Sequence, residues 1–233
     1  WRLGDLRVLA LIAVVPEIQS PENQSIAGVV NLTPIVSDLN GGGRSLSLKV
    51  EACVDPGVAY GADPDCGING TTVHSSTITP VPTTANSGLF GSPDYTGALN
   101  SIAITVPVGV LAGQPAPAQY NGVAYLAVVT VSSQDGSGNG SATTKAFKRI
   151  LISNKAATNK NPEIKQMLVN GVAPNLSPNL SSGAEVGLPF DTPAQLSLNW
   201  EGAAKESYQR MKKDLSFEDN QEVLTTTWFV SDG

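Results

Sequence analysis

Histidine occurs once in this chain, at position 74, and cysteine only twice, at positions 53 and 66. A Ser-His-Asp triad would have to use His74. The sequence has no Gly-x-Ser-x-Gly turn to present a nucleophilic serine and no Ser-x-x-Lys. His74 lies in the polar run Thr-Val-His-Ser-Ser and reads as a surface histidine. One histidine and two cysteines also fall short of a zinc site. Basic residues are scarce, with 14 Lys and Arg against 20 Asp and Glu, a net charge of −6 and a pI near 4.7. A nucleic-acid partner is therefore not expected, because phosphate binding needs a basic stripe. Long apolar runs are missing too. The best, 6–15, carries Arg7 and stops at Pro16, too short to cross a bilayer as a helix. Gly136-Ser137-Gly138-Asn139-Gly140 lacks the lysine of a phosphate loop and reads as a hairpin turn.

Charged residues amount to only 15%, while Gly (23) and Pro (16) are plentiful. Turns need Gly, Pro and Asn, and strands favour β-branched side chains, so this is the composition of an exported all-β protein. The pair Cys53 and Cys66 fits a disulfide in an oxidising compartment, and closing that loop contributes about 3 kcal/mol in the chain-entropy model. Two free thiols in a cytosolic protein are the plainer alternative. The chain opens on Trp1 with no initiator Met and no signal-peptide pattern, and reads as a piece of a longer precursor.

The stretch 147–171 organises the rest: a strand over 147–153, an Asn- and Lys-rich spacer, and a second strand after Asn161-Pro162. It reads as a hinge between two beads, residues 1–154 and 155–233. In the first bead, strands are expected over 6–15, 26–38, 46–52, 71–79, 101–106, 122–131 and 143–153. Turns fall at 21–24, 40–43 and 135–140, and a long elaborated loop runs through 55–100. Leu46, Leu48, Val50 and Ala52 share one face and Ser47, Lys49 and Glu51 the other, the period-2 signature of a half-buried strand. About seven strands with turns between them predict an immunoglobulin-like β-sandwich. In the second bead, strands are expected over 164–169, ending at the Asn170-Gly171 turn, and over 195–200 and 222–230. A loop spans 173–182, and a short helix is possible over 203–215. So few strands predict a second, truncated immunoglobulin-like domain, incomplete without later sequence or a partner chain. Trp228 and Phe229 are then candidate interface residues, since an uncovered Trp-Phe pair would form an exposed apolar patch.

Several short motifs carry a family likeness. Leu6-Arg7-Val8-Leu9-Ala10 leading to Pro16-Glu17, and Ala52-Cys53-Val54-Asp55-Pro56-Gly57, belong to it. So do Asn161-Pro162-Glu163-Ile164, Glu201-Gly202 with Glu206-Ser207-Tyr208, and Thr227-Trp228-Phe229. Through these the chain resembles predicted surface lipoproteins of myxobacteria and related predatory bacteria. The resemblance implies a lipid-anchored cysteine upstream of Trp1, tandem immunoglobulin-like domains and no catalytic residues. It also implies that Trp228 is a core tryptophan.

Asp55, Asp63, Asp65 and Asn69 space oxygen ligands in a way similar to calcium loops. No acidic residue stands at the twelfth position, and Pro64 and Cys66 interrupt the pattern, so a solvated acidic disulfide loop is the stronger reading. Asn23, Asn31, Asn69, Asn139, Asn175 and Asn179 fit the glycosylation triplet, which an Asn/Ser/Thr-rich chain produces by chance. The residues and the resemblance together predict a non-catalytic, exported structural or adhesive protein without cofactors. It would be held at the outer membrane by its lipid anchor, facing the periplasm or cell surface, with protein partners in an envelope assembly. The alternative is a ligand-binding module, for carbohydrate or calcium-stabilised adhesion, using the 55–100 insertion. A hydrolase is the weakest of the three.

Overall fold

Arg7–Ala13 forms the first strand, β1, and its aliphatic and β-branched side chains suit an extended backbone. The computed structural model describes residues 6–23, 28–38, 44–58, 62–78, 95–133, 142–172, 193–201 and 205–225. Pro16, which has no N–H to give to a ladder, marks a change of sheet rather than the end of the strand region. Directly after it β2 (Glu17–Gln19) joins a different sheet from β1. The expectation of one simple strand over 6–15 missed this crossover. β3 (Gly28–Asp38) runs antiparallel to β1. β4 (Leu46–Val54) buries Leu46, Leu48, Val50 and Ala52, as its alternation requires.

β5 (Thr71–Ile78) pairs with β4. Two short strands, β6 (Tyr95–Ala98) and β7 (Ile102–Val106), follow one another along β3, the first opposite 35–38 and the second opposite 28–32. A short helix, α1 (Ala116–Asn121), starts behind Pro115 and hands the chain to β8 (Val123–Ser133). β9 (Thr143–Ser153) then returns antiparallel to β8. Neither β6 nor α1 was legible in the sequence.

These strands make two sheets. One has β1, β3 and the β6/β7 pair, and the other runs β2-β9-β8-β4-β5, with β2 parallel to β9. Their inner faces share one core of aliphatic side chains, among them Leu32, Val36, Leu46, Ile104, Leu111, Val129 and Ile150. Each such side chain contributes about 1.5–3 kcal/mol by leaving water. The chain is an all-β sandwich in this region. Among the described residues no helix is long and apolar enough to cross a membrane.

The chain divides into two units. The first holds Trp1–Lys160, Met211–Ser216 and Val230–Gly233, and the second holds Asn161–Arg210 and Phe217–Phe229. β10 (Ile164–Val169) pairs antiparallel with β11 (Leu196–Trp200). Asn170 and Gly171, with φ of 52° and 77°, make the expected tight turn after β10, closed by Val169 and Val172. The region 203–215 is not helical where it is described. β12 (Ser207–Met211) and β13 (Phe217–Gln221) form a two-stranded sheet instead. The Asp214 carboxylate accepts from the Ser216 N–H and O–H, and Leu215 takes a φ of 66°. That local turn competes with helix, and there is no apolar stripe to reward a helix with burial. Residues 222–225 are not strand either, and the rest of the expected closing strand lies outside the described residues. So do the expected turns at 40–43 and 135–140, and the loop at 173–182.

Candidate functional site

In a sheet, alternate side chains face opposite sides, so the residues of β4, β8 and β9 that avoid the sandwich core must face outward. Register places Cys53, Leu126 and Arg149 in one such row, Glu51, Val128 and Phe147 in the next, and Lys49, Thr130 and Lys145 in a third. Leu126 and Val128 should therefore be wet. They are 0% and 3% exposed. Cys66 and Cys53 cover them, forming with them a second small apolar cluster on the far side of the sheet from the main core. The Cys53–Cys66 disulfide, with Cα atoms 5.8 Å apart, ties the loop that leaves β4 down onto the outer face.

Two carboxylates fasten the same loop across β8 to β9. Asp55 accepts from the Gly57 N–H with one oxygen and from Arg149 Nε–H with the other. Asp65 accepts from the Gly67 N–H at 2.8 Å and from Lys145 Nζ at 3.0 Å. Burial pushes the Asp55 carboxyl up, but the Arg149 hydrogen bond, the Gly57 amide and the Arg149 charge outweigh it, and the group sits below its ordinary range. Asp65 is also lowered, first by the Gly67 amide and then by Lys145. Between the two cations on β9 lies Phe147, half exposed, with the Arg149 guanidinium 5.3 Å from its ring centre. Gly70 closes the loop in tight contact: a Cβ there would lie 3.0 Å from the Cys66 Cβ. The turn Gly67–Asn69 holds Ile68 fully exposed at its crest.

This arrangement differs from a calcium loop. Asp55 and Asp65 each spend an oxygen on a basic side chain of β9, while Asp63 and Asn69 stay on the exposed surface. Among the described residues no three His, Cys, Asp or Glu groups are placed to hold a metal ion. Among the described residues Asp55, Asp63 and Asp65 do not form such a group, and the loop is shaped by the disulfide and the ion pairs. His74 stands on β5 with its Nε2 2.9 Å from Ser76 Oγ, two residues along the same strand. Among the described residues no carboxylate is hydrogen-bonded to its ring. Trp228 and Phe229 lie outside the described residues.

A second polar cluster escaped sequence reasoning. Glu17 on β2 is 1% exposed. Ser153 Oγ–H and Lys155 Nζ, the latter at 3.4 Å, both address its Oε1, and the Asn159 N–H donates to Oε2 at 2.9 Å. The one available signal was an acidic residue next to Pro16, where the apolar run stops. Nothing in the sequence placed its partners near it. No protein-family model matches the chain, and no curated protein matches it.

Proposed function

We propose that this is a non-catalytic exported protein of structural or adhesive role, with two immunoglobulin-like units and a lipid anchor upstream of Trp1. It serves at the outer membrane as a component or accessory subunit of an envelope assembly. The observation that carries the reading is the Cys53–Cys66 disulfide buried under a loop strapped to the outer sheet face. Such a bond belongs to an oxidising compartment. The immunoglobulin-like assignment draws support from strand order: β9-β8-β4 in one sheet, and β1-β3 with the β6/β7 pair in the other. On this reading they stand for the G-F-C and A-B-E neighbours of that fold. A protein partner is favoured by the apolar side chains held outward, Ile68 and Phe147 on the strapped face and Ile164, Leu196 and Phe217 in the second unit.

The test uses the native protein recovered from cells. Mass spectrometry of unreduced peptides should yield the Cys53–Cys66 linked pair, and protein from intact cells should fractionate with the outer membrane and carry a lipid upstream of residue 1. Two free thiols in that material would remove the exported assignment.

A further inference from the structure

The spacer at 154–160 has no helix or strand. Its composition reads as a hinge, and the first unit treats it otherwise. β2 lies parallel to the end of β9, Glu17 opposite Leu151 and Gln19 opposite Ser153. The pairing is extended by Leu151 N–H to Pro16 O at 2.9 Å and Ser20 N–H to Ser153 O at 2.8 Å. Past the strand end, Asn154 is held by Gln119 of α1 twice, backbone to backbone at 2.9 Å and side chain to side chain at 3.2 Å. Lys155 and Asn159 then both turn back to Glu17.

We propose that Glu17 is a latch that carries the fold of the first unit through Asn159, so that the spacer is a fastened strap and not a hinge. A carboxylate removed from water must be matched by hydrogen bonds and opposite charge or it is strongly destabilising. Of the three groups that satisfy Glu17, Ser153 belongs to β9, while Lys155 and Asn159 belong to the spacer. If the spacer swung away, the carboxylate would stay buried with the Ser153 hydroxyl alone. The burial of Glu17 and the position of the spacer are therefore one event. The latch rests on the two-unit reading and adds to it that the first unit extends through Asn159.

Residue-resolved hydrogen exchange on the full chain tests this. In the wild-type protein the Asn159 and Asn154 amides should exchange at least about tenfold more slowly than unstructured chain, the scale of one hydrogen bond to a charged group. Glu17→Ala should bring Asn159 to the unstructured rate while Val128 and Val129 in β8 keep their protection. Lys155→Met, which leaves the buried carboxylate without its cation, should speed Asn159 in the same direction. An unprotected Asn159 in the wild type overturns the latch without any variant. So does an unchanged Asn159 in either folded variant. Failure here would leave the disulfide and the membrane fractionation untouched, whereas free thiols would leave the exchange result untouched.

Discussion

Asp55 shows how one residue ties a loop to a distant strand. Its carboxyl is only 10% exposed and meets Arg149, a partner 94 residues away in sequence. Both Asp55 and Asp65 sit below their ordinary value of 3.8 in the folded protein. A group lowered on folding adds stability above its unfolded pKa and loses it as pH falls through the folded value. The loop should accordingly loosen as pH drops below about 3.8, and not on the alkaline side. Asp55→Asn should lower stability at pH 7 by about 1 kcal/mol or less, as expected for a partly exposed pair. That difference should shrink as the pH falls from 7 to 2 and protonation removes the carboxylate charge. Urea midpoints of the two proteins at both pH values check it, and a difference that does not shrink in acid would refute the assignment. Leu126 gives a second residue-scale prediction. It faces outward from its sheet, so a bare face would make Leu126→Ala nearly silent. Beneath the strapped loop the change should cost about 2–5 kcal/mol, like a core truncation, read from the same denaturation curves.

At the scale of elements, the strapped loop and the strand beneath it should come apart in a defined order. Replacing Cys53 and Cys66 by Ala should cost about 3 kcal/mol in the chain-entropy model. The second apolar cluster, which includes Leu126 and Val128, should then admit water, while the main core on the opposite face keeps its packing. Hydrogen exchange would register faster loop amides with protected β8 and β9. Loss of protection throughout the sheet would mean that the two clusters are one cooperative block. The same scale explains which strands were legible. β4 and β9 alternate cleanly or run long between turn residues, and their bounds follow from the pattern. β2 is three residues long, and its identity depends on a parallel partner that local sequence does not name. The stretch holding β12 and β13 has helix-compatible composition, yet the Asp214 turn and the lack of an apolar face settle it as a hairpin.

For the whole molecule, the two units differ in how much they bury. The first holds nearly the whole described core, while Val169 is the one buried hydrophobic residue among the described residues of the second. Amide protection should therefore be lower across β10 and β11 than across β8 and β9, and denaturant should release the second unit first. Exchange profiles of the full chain test this, and equal protection would show that the second unit is covered as well as the first. Composition and period-2 alternation by themselves determined the all-β class, the place of most strands, and the only possible cysteine pair. These are local properties, set by which side chains suit an extended backbone and by there being two cysteines. Tertiary structure alone decided that β2 changes sheet, that the Asp55 loop folds back over the outer face, and that Glu17 is buried. Ser153 lies 136 residues from Glu17, and Arg149 lies 94 from Asp55. Such partners are chosen by strand register and sheet order, which no short window of sequence contains.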